Sequence, residues 1–141
     1  MRMLRTVAAI AAGYGIMWLT VIGGTIIAAS LFVPGGFRTL AVVPPAGFPA
    51  AFLIANLATN ALGAVLGGWL AARIAAFAPF GHAAVLAVFP ATLAIGSAAN
   101  APAGPQSGWY SIVVGMVGVA GVLAGGKLRA AAAAGRGPVV A

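Results

Sequence analysis

With 141 residues the chain is long enough for one compact bundle and leaves no room for a second soluble domain. It is 63% hydrophobic and only 5% charged, with a mean hydropathy of +1.14, whereas a soluble domain carries roughly 25% charged residues to keep its surface wet. Asp, Glu and Cys are all absent, which excludes paired-carboxylate acid–base chemistry, an acid-completed Ser/His triad, an acidic proton relay, disulfides and thiolate-ligated metal. The formal net charge of +7 is scattered near the ends of apolar blocks and forms no continuous stripe, the pattern of membrane-flanking anchors and not of a nucleic-acid surface.

Residues 6–32 form the first apolar block, ended by Pro34-Gly35-Gly36. A bilayer core of ~30 Å needs about 20 helical residues, so this block predicts a tilted or overlong span. Met1–Arg5 before an apolar run has the outline of a signal peptide. The run is too long for a typical signal core and the cleavage-like site at Ala28-Ala29-Ser30 is poor, so a retained span is expected. At ~100° per residue, Ala9, Gly13, Thr20 and Gly24 share one side of it, with Tyr14 and Trp18 roughly opposite.

A Pro/Gly-rich loop over 33–48, with Pro44-Pro45-Ala46-Gly47, leads to a second span at about 49–74. Here Asn56, Asn60, Gly63 and Gly67 follow a helical spacing and fall on a narrow stripe, with Gly63/Gly67 as a GxxxG pair. A turn over 77–81 precedes a third span at about 82–99, which opens on His82 and contains Pro90. Pro90 predicts a kink, because its ring removes a backbone donor. Ala87, Pro90, Ala94 and Ala98 line up on that span. After the loop 100–108, a fourth span at about 109–128 presents Ser111, Gly115, Gly118, Gly121 and Gly125, again with a GxxxG pair at its end. The Ala-rich remainder, 129–141, reads as a mobile cytoplasmic tail.

The expected fold is therefore an all-α membrane protein, a bundle of four transmembrane helices in one domain over residues 1–128. With four spans, Arg2, Arg5, Arg73, Lys127, Arg129 and Arg136 fall on one side and Arg38 alone on the other. Lys and Arg accumulate in cytoplasmic segments, which predicts both termini inside. The Ala/Gly-rich, Arg-dominated composition is that of products of GC-rich bacterial genomes, so the membrane expected is a bacterial inner membrane. The small-residue faces, Ala9, Gly13, Gly24, Gly63, Gly67, Gly115, Gly118, Gly121 and Gly125, are the expected helix contacts, because in lipid helices associate through close backbone packing.

A faint duplication is visible as well. Gly67-Gly68-Trp69-Leu70-Ala71-Ala72-Arg73 resembles Gly125-Gly126-Lys127-Leu128-Arg129-Ala130-Ala131, and both outer loops carry Pro-Ala-Gly. Two tandem hairpins of the same orientation would make a parallel repeat; chance similarity is the competing reading.

No catalytic, cofactor-binding or metal-ligating residue is expected. His82, the single histidine, stands at an interface and reads as structural in preference to an axial ligand. Asn56 and Asn60 lie about 10–18 Å along their helix at ~1.5 Å per residue, a depth at which an unpaired carboxamide costs several kcal/mol. They read as interhelical hydrogen-bonding groups, with an anion- or solute-binding element as the alternative. Trp69, Trp109 and Tyr110 fit interfacial anchors.

The segment Gly67-Gly68-Trp69-Leu70-Ala71-Ala72-Arg73, with Trp109-Tyr110 opening and Gly125-Gly126-Lys127-Leu128 closing the last span, resembles small uncharacterised bacterial membrane proteins with four spans. That resemblance implies topology and carries no activity. Small multidrug transporters carry an embedded Glu that is missing here. Four-span fluoride channels have an Asn-containing second span, which the stretch from Asn56 to Gly63 is loosely similar to, but their Thr/Ser/Phe-rich third-span segment is replaced by Phe89-Pro90-Ala91-Thr92. The sequence leads to a non-enzymatic structural or accessory subunit that packs against itself, as a homo-oligomer, or against a larger membrane complex. The alternative is a small channel or uncoupled transporter for an anion or small solute. The lipid bilayer is its expected environment, with no cofactor and no nucleic acid.

Overall fold

A computed structural model describes residues 2–40, 47–75, 78–101 and 108–135. Four helices account for nearly all of them: α1 (Arg2–Phe32), α2 (Ala50–Ala75), α3 (Pro79–Ala99) and α4 (Trp109–Ala134), with a single 3₁₀ turn over Gly36–Thr39 after α1. Each of the four is long and apolar enough to cross a membrane. Helices are the form such segments must take, since a backbone in hydrocarbon has to satisfy its hydrogen bonds within itself. The chain is an all-α, four-helix, multi-pass membrane protein.

The helix ends follow local chemistry. Val33 N–H closes the last turn of α1 on the Ala29 carbonyl at 2.9 Å. Pro34 then denies the next donor, and Gly35 and Gly36 adopt φ values of 82° and 66°, where only glycine is unstrained. At the start of α3, Ala78 holds φ 44° just ahead of Pro79, a proline in the first turn where no donor is needed. α3 then runs without a break through Pro90. α4 continues to Ala134, past the expected end at 128, so the first residues of the expected mobile tail are helical. Alanine, the strongest helix former, explains the extension over the run Ala130–Ala134. The rest of that tail lies outside the described residues, as do most of the two Pro-rich loops.

The helices do not pack in sequence order. α1 packs on α2, α2 on α4 and α4 on α3, while α1 and α3 meet only lightly. The α2–α4 contact is parallel: Gly121 faces Ala61 and Ala64, and Gly125 comes against Val65 and Trp69 further on. Its separation is set by backbone. A Cβ on Gly68 would collide with the Val122 carbonyl oxygen, and one on Gly125 with that of Val65.

The doubled glycines settle the geometry. On α2, Gly67 abuts the Gly13 carbonyl of α1 (2.7 Å for an added Cβ), whereas Gly68 faces α4. On α4 the order is reversed, with Gly125 facing α2 and Gly126 against Ala83 of α3. Adjacent helical residues point about 100° apart, so each pair serves two neighbours. Because the order is reversed on two parallel helices, α1 and α3 are carried to the same side of the α2–α4 plane. With the same order they would lie on opposite sides.

α1 and α3 therefore flank one central space. At the end where α1 and α3 begin and α2 and α4 finish, that space is filled by Met17, Ala64, Ala71, Ala83, Leu86, Ala87 and Val122. Toward the other end a smaller cluster of Ala28, Ala29, Val33 and Phe52 seals α1 on α2 alone. Arg5, Arg73, Lys127 and Arg129 all belong to the first end, hereafter the basic end.

Candidate functional site

Between the two clusters lies a cavity of about 350 Å³. Its walls are Met17, Trp18 and Val21 of α1, Asn56, Asn60 and Ala64 of α2, Pro90, Leu93, Ala94 and Ser97 of α3, and Tyr110, Ser111, Val114, Gly115 and Gly118 of α4. All four helices contribute, which follows from α1 and α3 standing on one side. The side between them is open: Trp18 is 44% and Leu93 50% exposed. The space therefore communicates sideways, into the region lipid would occupy.

Toward the basic end the same two helices are pinned. Tyr14 packs its ring on Phe89 with centroids 5.0 Å apart, and an added Cβ on Gly13 would sit 3.0 Å from Leu86. Further along, Thr6 Oγ1 lies 3.1 Å from His82 Nε2. His82 Nδ1 is 3.0 Å from the Ala78 carbonyl and must carry a proton to donate to it, so in the neutral ring Nε2 accepts from the threonine hydroxyl. His82 is thus buried, 8% exposed, and holds α1 to α3. Among the described residues no group of three or more His, Cys, Asp or Glu could hold a metal.

The polar part of the cavity is a connected network. Asn56 Nδ2 donates to Thr25 Oγ1 at 2.7 Å, tying α2 to α1. The Tyr110 hydroxyl stands 3.0 Å from Asn56 Oδ1 and 3.1 Å from the Leu53 carbonyl, tying α4 to α2. Asn60 Nδ2 donates to the Asn56 carbonyl at 2.8 Å and approaches Asn56 Oδ1 at 3.2 Å. Asn56 is therefore the hub, and Asn60 bonds only within its own helix. No sealed side-chain nitrogen or oxygen lacks a partner among the described residues. Asn60 Oδ1 and the Ser111 hydroxyl make no hydrogen bond among those residues and so keep accessible surface, and Ser97, whose hydroxyl is also unbonded among them, is itself exposed.

No Lys or Arg lines the cavity, and the chain has no acid. An ion placed there would lose hydration with no countercharge to replace it, at a cost of several kcal/mol. An uncharged molecule with an apolar body and a hydroxyl or amide would instead find both halves of its chemistry met.

The small residues singled out from the sequence occupy these interfaces. Gly13, Gly24, Gly63 and Gly67 lie in the α1–α2 contact, Gly24 against the Thr59 side chain and Gly63 near the Met17 carbonyl. Gly115 and Gly118 meet Ala94 and Pro90 of α3, while Gly121 and Gly125 meet α2. Ala9 is fully buried. Trp109 is 52% exposed, and Trp69 holds the Arg73 guanidinium 5.1 Å from its ring centroid. Tyr110, read from the sequence as an anchor beside Trp109, instead turns its hydroxyl inward to Asn56. The sequence reading missed Ser97 and Ser111 as polar lining, and Thr25 as the α1 partner of Asn56. It also missed Gly68 and Gly126 as contacts; the doubling of each glycine was the available signal.

Comparison with known protein families, with curated proteins and with solved structures gives no match.

Proposed function

We propose that the chain is a non-enzymatic protein of the bacterial inner membrane, with both termini cytoplasmic, that takes a small uncharged, hydrogen-bonding molecule from the bilayer into the cavity between its four helices. One observation carries this reading: a mostly apolar cavity between all four helices is lined by Asn56, Asn60, Ser97, Tyr110 and Ser111, of which Asn60 Oδ1 and the Ser97 and Ser111 hydroxyls make no hydrogen bond among the described residues. A carboxamide oxygen as far inside a span as that of Asn60 is retained at a cost unless something uses it. The filled core at the basic end favours binding over an open pore.

Purification in lipid nanodiscs followed by mass analysis of retained small molecules tests this. Asn60→Leu should leave the bundle folded and reduce the retained molecule at least about tenfold, a loss of roughly 1.4 kcal/mol. Equal retention by the variant overturns the reading. Halide flux through reconstituted vesicles would instead support a channel.

A second reading, the accessory subunit, has its own observation. Gly15 and Gly23 of α1 and Gly96 of α3 have nothing within 4 Å of an added Cβ. Outward glycines on the helices that flank the opening suit the close approach of another helix. A single copy with no co-purifying protein in mild detergent removes this reading and leaves the first intact.

A further inference from the structure

A second recess, of about 180 Å³, lies at the basic end between the last turns of α2 and α4, lined by Trp69, Arg73, Arg129 and Ala132. The α2–α4 register brings the two arginines together: Gly125 sits beside Val65 and Trp69, so Arg129, one turn on, falls level with Trp69 and Arg73. Arg73 Cζ stands 5.1 Å from the Trp69 ring centroid, which fixes one guanidinium over an aromatic face. Two like charges beside one recess repel, and the sequence contains no Asp or Glu to neutralise them. The helix C-termini account for a favourable place for one cation each, but not for two lining one recess beside an aromatic ring.

We propose that this recess binds the phosphate of an anionic membrane lipid. Guanidinium groups match phosphate oxygens with paired N–H donors, which a diffuse surface charge does not do. The lipid is favoured over free phosphate because the recess lies between the ends of two helices long and apolar enough to span a membrane, beside Trp69, an aromatic of the kind that gathers at headgroup level.

The test is native mass spectrometry of the protein released from nanodiscs containing phosphatidylglycerol in phosphatidylcholine. Wild type should retain phosphatidylglycerol selectively, and the Arg73→Gln/Arg129→Gln double variant should retain at least about tenfold less. Arg5→Gln, at the same end but outside the recess, should keep wild-type retention. Unfolding temperature in pure phosphatidylcholine should be the same for all three, which separates lost binding from lost fold. Retention unchanged in the double variant, or equally lost in Arg5→Gln, overturns the proposal. Displacement of the lipid by millimolar inorganic phosphate also overturns it, and assigns the recess to a soluble anion.

Discussion

The α2–α4 seam and the α1–α3 seam are built from similarly apolar helices, yet one is closed to backbone contact and the other is light, bordering a cavity. The difference lies in where glycine falls. In the first seam Gly68, Gly121 and Gly125 each stand against backbone or Cβ atoms of the opposite helix, so at these points nothing larger than a methyl keeps the two helices apart. In the second the contacts are large side chains, Tyr14 on Phe89 and Leu86 beside Gly13. Beyond them α1 offers Trp18 and Val21, and α3 offers Leu93 and Ser97, around a space neither helix fills. Close packing in lipid depends on surface shape more than on hydrophobicity, which is the same for lipid and helix.

Substitutions can break this contrast, beginning with the closed seam. Gly125→Leu drives a side chain into the Val65 carbonyl, and destabilisation of about 3 kcal/mol or more is expected. Thermal unfolding in mild detergent should show the variant misfolded or aggregated. Asn56→Leu removes the hub that ties α2 to both α1 and α4, at an expected cost of about 1–3 kcal/mol by the same measurement. Tyr110→Phe deletes only the hydroxyl and should cost about 1 kcal/mol. Asn60→Leu, which breaks no bond between helices, should stay within about 0.5 kcal/mol of wild type while ligand retention falls. The smallest effect belongs to Gly15→Ala and Gly96→Ala, whose added methyl groups meet nothing. Both should be neutral or slightly stabilising, through better helix propensity. Clear destabilisation of either in native membranes, absent from the purified monomer, would point to a partner helix on that face.

Most of the fold was legible because its signals are local. Span number and approximate limits follow from apolar length, and the interface glycines from their helical spacing. α4 itself runs beyond the span limit expected at about 128, because the alanines after Arg129 hold it helical to Ala134. The polar site was half legible. Asn56 and Asn60 stand out on an apolar stripe, but their partners Thr25 and Tyr110 are 31 and 54 positions away from Asn56. Nothing in local periodicity reports which helices become neighbours. Tyr110 also satisfied a simpler rule, that aromatics gather at the interface, and this hid its inward role.

The reversed order of the two glycine pairs has a consequence for symmetry. Two identical hairpins meeting through the same parallel seam would be related by a twofold axis, which places their outer helices on opposite sides. Such an assembly could have a close parallel seam of its own but would lose the chamber. Only non-identical halves can turn both outer helices to one side. The enclosure is thus a property of the full chain and could not be rebuilt by pairing two copies of either half.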